Sequence, residues 1–358
     1  MESMEDLKLL KSFWKSKKVF ITGHTGFKGS WFVIILKFLG AEVAGFSLKL
    51  ETKDNLFDLA KIKKLLKKST IGDIRNKEKL KKSIVAFSPD FIVHMAAQPL
   101  VRRSYKEPRY TYDVNIAGTL NILEIVNEIN FVKSLLIVTT DKVYENNDSN
   151  HSFKESNKLG GLDPYSSSKA CVEIICESYR NSFFNKKKIF LATCRAGNVI
   201  GGGDFSNDRI VPDFVRAQKN KKIYLRSPNS VRPWQHVIDP LYGYLLLLMQ
   251  MYKKFCYSNS AWNFGPIKKN SAKVINIINT MNNLSEKKTK IMIKKNSKKY
   301  HESNVLTLNS IKAKKFLNWQ CKYNLHEATK LTWDWYDGYF KKKNLLNICQ
   351  KQIANFFK

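Results

Sequence analysis

Tyr165 and Lys169 stand four residues apart in Tyr165-Ser166-Ser167-Ser168-Lys169, a spacing that puts both side chains on one face of a helix. A lysine ammonium beside a phenol can lower its pKa from about 10 towards neutrality, leaving a usable base for an oxidation. Upstream, Thr139-Thr140-Asp141-Lys142-Val143-Tyr144 follows the apolar run Leu135-Leu136-Ile137-Val138. Asp141 and Lys142 therefore add two titratable groups at a strand edge. Oxidation alone needs one base. Four ionisable groups predict a further step, such as loss of water. In a lysine-rich chain Tyr-x-x-x-Lys also arises by chance, and the pair gains weight from its place after that strand end.

The elements that must position these residues begin at Lys18-Val19-Phe20-Ile21-Thr22-Gly23-His24-Thr25-Gly26-Phe27-Lys28-Gly29. An apolar strand leads into glycines spaced G-x-x-G-x-x-G and then into a helix over 30–39. The first glycine permits a tight turn, the second lets backbone approach a pyrophosphate, and the third lets helix and strand pack closely. Helix amides at the positive dipole end then face the phosphates. Further strands are predicted at 42–48, 69–74, 90–97, 134–139 and 188–195, with helices over 111–128 and 164–181 between them. This alternation predicts an α/β fold with a doubly wound parallel sheet. Ligands in such sheets gather at the carboxyl ends of the strands, which places Asp73, Ala96-Ala97-Gln98, Thr140-Asp141 and Asn198 around one crevice. The second strand ends Phe46-Ser47-Leu48-Lys49, with Glu51 arriving late. No acid stands where a ribose contact is usual, so NAD and NADP both remain open.

Composition excludes several classes. With 358 residues, 43% hydrophobic and 12% aromatic, the chain can bury a full core and is not disordered. The first residues are charged and show no apolar leader, so a cytoplasmic protein is expected. The apolar stretch 31–39 contains Lys37, and 241–251 is too short to cross a bilayer. Six cysteines form no C-x-x-C pair, which suits a reducing compartment and predicts no structural metal. The formal charge of +32 raises nucleic-acid binding as a reading. The lysines lie in scattered runs without the interleaved aromatics of a base-stacking groove, and lysine-rich bias explains them better. An anionic nucleotide substrate would still be drawn in by this field.

The glycine loop, the Tyr-x-x-x-Lys pair and the length resemble the extended short-chain dehydrogenase/reductase superfamily. Gly23-His24-Thr25-Gly26-Phe27-Lys28-Gly29-Ser30-Trp31, Asn55-Leu56-Phe57 and His94-Met95-Ala96-Ala97-Gln98-Pro99-Leu100-Val101-Arg102 resemble the nucleotide-sugar 4,6-dehydratases. So do Arg195-Ala196-Gly197-Asn198-Val199-Ile200-Gly201-Gly202-Gly203-Asp204 and Arg232-Pro233-Trp234-Gln235-His236. Lysine at Lys142, where the dTDP-sugar enzymes usually carry glutamate, points to the CDP-sugar branch. The late segment Lys298-Lys299-Tyr300-His301-Glu302 and the stretch Trp333-Asp334-Trp335-Tyr336 also match, without assigned chemistry.

The resemblance implies a Rossmann domain over 1–194 with a returning segment at about 233–265, and a smaller substrate-binding lobe from 195–232 and 266–358. It implies NAD as cofactor, CDP-glucose as substrate, a homodimer, and no nucleic-acid or membrane partner. The cofactor would meet Gly23, Thr25, Gly26, Phe27, Lys28, Gly29, Asp73, Ile74, Ala96, Ala97, Gln98 and Asn115, besides Tyr165 and Lys169. In the implied reaction Tyr165 deprotonates the C4 hydroxyl as hydride leaves, with Thr140 on the same oxygen. Lys142 takes the C5 proton, Asp141 protonates the departing C6 hydroxyl, and hydride returns to C6. Substrate would be held by Gln98, Arg102, Asn198, Arg209, Arg232 and Asn263, the arginines being bidentate phosphate ligands where lysine is not. For Asp141 to donate, burial must raise its pKa, against the pull of Lys142. Trp234, Trp262 and His236 are expected to be structural. Two rivals stay open: an epimerase or other nucleotide-sugar dehydratase, and a basic dinucleotide-binding scaffold that binds nucleic acid.

Overall fold

The computed structural model describes residues 2–146, 151–266, 271–293 and 306–358, so the segment 298–302 lies outside the described residues. Seven parallel strands form the main sheet. They are β1 (Lys18–Thr22), β2 (Glu42–Ser47), β3 (Lys68–Ile71), β4 (Phe91–His94), β5 (Ser134–Val138), β6 (Phe190–Ala196) and β7 (Ala261–Phe264). Their spatial order is β7-β6-β5-β4-β1-β2-β3. Register runs straight across the centre, Ile21 beside Val93, Val93 beside Leu136 and Leu136 beside Ala192.

Side-chain alternation explains why both faces are covered. Val19 and Ile21 join one apolar cluster and Phe20 the other; in β5, Leu136 and Val138 oppose Leu135 and Ile137. A strand buried on both faces reads as an unbroken apolar run, which is how β5 looks in the sequence. The helices divide accordingly. To one face go α1 (Glu2–Trp14), α2 (Phe27–Phe38), and three late helices. To the other go α3 (Gly118–Glu128) and α4 (Pro164–Tyr179). The late helices are α5 (Ile238–Tyr252), α6 (Leu325–Phe340) and α7 (Leu345–Phe356). Phe357, just past α7, stacks on Phe38 of α2 at 6.3 Å. Smaller paired segments follow β6: Lys222–Leu225 lies parallel to Lys290–Ile293, and Val231–Pro233 antiparallel to Ser271–Lys273. Among the described residues no helix is long and apolar enough to cross a membrane.

The expected strands are present, and four of the five end earlier than expected, while β6 runs one residue further, to Ala196. β3 stops at Ile71 and β4 at His94, which frees Asp73 and Ala96-Ala97-Gln98 to form loops at the crevice. The helix expected over 111–128 is interrupted: Asp113–Ala117 is a π turn. Such turns often accompany a side chain with a special task. Here it is Asn115, whose Oδ1 accepts from Gln98 N at 2.8 Å and whose Nδ2 donates to Ser168 Oγ at 2.9 Å. That side chain ties the loop after β4 to α4.

Candidate active site

Two glycines in the first turn are required by close approach. Gly23 has φ +77°, and a Cβ there would stand 2.8 Å from Ala96 N. A Cβ on Gly29 would stand 2.1 Å from Gly23 O. The loop therefore lies flat against the end of β4 and under the start of α2. No side chain caps α2 at Gly26, leaving its first amides for a ligand. His24 turns inward, its Nε2 2.8 Å from Ser69 Oγ, and burial lowers its pKa to about 4.

α4 starts where the sequence reads Asp163-Pro164. Asp163 Oδ1 accepts from Tyr165 N and Ser166 N, both at 3.0 Å, and proline occupies the first turn, where its missing N–H costs nothing. This cap fixes Tyr165 in the first turn and Lys169 one turn on, both facing the carboxyl end of β5. Lys169 Nζ donates to Val138 O at 3.1 Å. Thr140 Oγ1 donates to Asp141 Oδ1 at 3.0 Å. Asp141 Oδ2 is buried without a partner and faces Gly197, where a Cβ would stand 3.5 Å away.

These groups line one cavity of about 790 Å³ at the carboxyl ends of the strands, a volume within the usual range of about 300–1,000 Å³ for a small-molecule site. Gly23, Thr25, Gly26, Phe27, Lys28 and Gly29 form one end, with Asp73, Ile74, Ala96 and Ala97 beside them. Thr140, Asp141, Lys142, Tyr165 and Lys169 stand in the middle. Arg102, Asn198, Arg209 and Arg232 line the cavity as well. The donor set of the first end fits a dinucleotide: uncapped helix amides, a glycine cradle that any side chain would fill, and the Lys28 cation.

Three residues expected at the ligand have their side chains engaged within the protein. Asn263 is fully buried; its Oδ1 accepts from Tyr144 Oη at 2.7 Å and its Nδ2 donates to Phe153 O at 2.9 Å. No amide atom is left for a nucleotide. Gln98 spends its side chain on Leu100 N (2.7 Å) and Thr111 Oγ1 (2.9 Å), so it meets the cavity without a free amide. Asn115 is occupied as described and does not line the cavity. Thr25 also turns aside, to Ser47 Oγ and Leu48 O, and the Asp73 carboxylate is held below its usual range by Arg75 at 2.7 Å. The glycine run after Asn198 serves packing: a Cβ on Gly202 would strike Trp335 at 1.9 Å. As expected, Trp234, Trp262 and His236 are buried.

Electrostatics corrects one further expectation. Burial pushes the Tyr165 phenol up to about 12; the Thr140 hydrogen bond and the Arg209 charge pull it back, and Asp141 and Asp163 add to the rise. Lys169 donates to Val138 O and is itself lowered to about 8 by burial. Lys28 falls to about 8 as well, through burial first and then the Arg209 charge. Burial raises the Asp141 carboxyl despite Lys142, Thr140, Arg232 and Lys28, which all oppose it. That is the direction a proton donor needs.

The sequence reading missed Tyr224, Arg226 and Asp208 at the cavity wall. Asp208 Oδ1 bridges Arg226 at 2.9 Å and Arg102 at 3.3 Å. Arg226 was within reach, since with only ten arginines in the chain the argument made for Arg209 and Arg232 applies to it equally.

Comparison with known proteins places this arrangement. The sequence profile described as GDP-mannose 4,6 dehydratase matches residues 20–332. A CDP-glucose 4,6-dehydratase from Salmonella typhimurium is 39% identical over 352 residues, spanning 97% of this chain and 98% of that protein. Among solved structures, a dTDP-glucose 4,6-dehydratase from Bacillus anthracis in complex with NAD superposes with TM-score 0.75 at 24% identity, covering 92% of this chain and all of that one. A UDP-glucose 4-epimerase with UDP-glucose from Thermotoga maritima gives TM-score 0.76 at 22% identity, covering 91% and 99%.

Proposed function

Because the chain belongs to the GDP-mannose 4,6-dehydratase family, we propose that it converts CDP-glucose into CDP-4-keto-6-deoxyglucose and water, with NAD recycled and no net redox change. The observation that carries this reading is the buried Asp141, one carboxylate oxygen of which has no hydrogen-bond partner, next to Lys142 and lining the same cavity as Tyr165. An epimerase needs no acid–base pair there. The identity to a CDP-glucose enzyme over nearly the whole chain supports the choice of nucleotide.

NAD, when bound, supplies a hydride acceptor and donor, and a positive ring charge that opposes the upward pull on the phenol. The chain's own groups do the rest. The glycine cradle, the first amides of α2 and Lys28 hold the pyrophosphate. Tyr165 receives the proton of the C4 hydroxyl while Thr140 orients that oxygen. Oxidation at C4 acidifies the C5 hydrogen, because the resulting anion is delocalised into the carbonyl. Lys142, half-buried at the cavity wall, takes that proton. Asp141, whose carboxyl burial raises, gives its proton to the C6 hydroxyl as water departs. Arg102, Arg209, Arg226 and Arg232 hold the substrate diphosphate, with Asn198 beside them. Residues 195–232 and 266–358 supply this substrate side, and 1–194 with 233–265 the cofactor side. A homodimer working in the cytoplasm on deoxysugar precursors for O-antigen completes the reading.

The test is incubation with CDP-glucose, dTDP-glucose and UDP-glucose, each with and without added NAD, followed by mass spectrometry. The expected result is loss of one water from CDP-glucose in preference to the others. Water loss from another nucleotide sugar moves the specificity. A C4 epimer without water loss overturns the dehydratase reading.

A further inference from the structure

Behind the cavity, one buried ion pair touches both ends of the segment that carries Thr140, Asp141 and Lys142. Glu173 lies one turn after Lys169 on α4, and Arg195 lies near the end of β6. Their side chains are 3% and 4% exposed. The Glu173 carboxylate is filled on both oxygens. Oε1 accepts from Thr139 Oγ1 at 2.5 Å and Arg195 Nε at 2.9 Å, and Oε2 from Thr193 Oγ1 at 2.6 Å and Arg195 Nη2 at 2.9 Å. Arg195 Nη1 then donates to Tyr144 Oη at 2.8 Å and to Glu155 O at 3.1 Å. Tyr144 in turn donates to Asn263, which bonds the carbonyls of Phe153 and Asn309.

Thr139 and Tyr144 thus bracket the Thr-Asp-Lys segment, one held by the carboxylate and the other by the guanidinium. The carboxylate belongs to the helix that also carries Tyr165 and Lys169. Burial alone would raise the Glu173 carboxyl; Arg195, with the hydrogen bonds of Thr139 and Thr193, more than reverses it. A buried pair of this kind contributes little stability compared with apolar packing of the same volume, so its fourfold satisfaction calls for another explanation. Geometry supplies one. Water loss requires an acid and a base set against the same sugar ring that the tyrosine oxidises, and misplacement by about 1 Å can cost about 10²-fold.

The geometry points to Glu173 and Arg195 as positioning residues that clamp Asp141 and Lys142 in register with Tyr165 and Lys169; this rests on the dehydratase reading above. Neither residue touches the cavity. Both act through the backbone of residues 139–144.

Removing either charge would leave its partner buried and unpaired, so the informative variants loosen the clamp at its ends. Thr139→Val and Tyr144→Phe each delete one hydroxyl and keep the ion pair. The expected result is a kcat about 10- to 100-fold lower with KM unchanged to within about twofold, and faster amide hydrogen exchange across residues 140–144 measured without substrate. Thr139→Ser should restore both. A purely structural role would lower the melting temperature and leave kcat per folded molecule alone. Unchanged exchange in both variants overturns the clamp, and so does faster exchange with wild-type kcat. If the unsubstituted protein removes no water from CDP-glucose, the proposed function falls, while the exchange measurement still decides whether the ion pair holds the segment.

Discussion

Replacing Tyr165 with phenylalanine is expected to lower turnover by about 10²–10⁴-fold, the range for loss of a general base, while NAD binding stays as it was. The phenol is buried, and phenylalanine fills the same volume without leaving a void. The proposed cofactor end of the cavity is built from Gly23, Gly26, Gly29 and the start of α2. Turnover with CDP-glucose and an NAD titration by quenching of tryptophan fluorescence separate the two effects. Because burial drives the phenol up to about 12, the protein without cofactor holds it neutral throughout the physiological range. The base form gains population as pH rises, so wild-type activity should climb towards alkaline pH, and Tyr165→Phe should flatten that climb. Turnover within about tenfold of wild type would remove the tyrosine from the proton transfer.

Replacing Lys142 with methionine should stop the reaction at a later point. In the proposed mechanism oxidation at C4 involves Tyr165 and Thr140, so the absorbance of reduced nicotinamide should still rise on mixing with CDP-glucose. Product should form about 10²–10⁴-fold more slowly, because the C5 proton has lost its acceptor. The acid is not the cause of such a loss. The Lys142 charge pulls the Asp141 carboxyl down, and removing it shifts that carboxyl further up, the direction a proton donor needs. Stopped-flow absorbance together with product mass reads both halves. A wild-type rate of product formation would make Lys142 an electrostatic neighbour of Asp141 and nothing more.

The parts of the site that were legible in the sequence are those where backbone geometry dictates residue type. Gly23 and Gly29 occur because backbone passes within a Cβ's reach of backbone, and Asp163-Pro164 marks the start of α4. The Tyr-x-x-x-Lys spacing and the Thr-Asp-Lys strand end converge as the doubly wound topology demands. What sequence could not convey is which way an amide turns. Asn263, Gln98 and Asn115 are polar residues near a ligand crevice, and each is spent inside the protein because a buried amide must satisfy its own donors and acceptors first. The same limit hid Glu173 and Arg195, whose partners are 20 to 51 residues away in the chain. The Tyr165 expectation failed for a different reason. Spacing reveals that a lysine is near, whereas burial, the larger influence on both groups, is a property of the assembled core.

The central claim is that hydride leaves C4 and comes back at C6 of the same sugar while Asp141 and Lys142 remove water between the two transfers. CDP-glucose carrying deuterium at C4, incubated with excess unlabelled NAD, tests it in one measurement. The account predicts a product lighter by one water with the deuterium at C6. Deuterium retained at C4 in a product that has kept its water, or lost into the free cofactor pool, would contradict it.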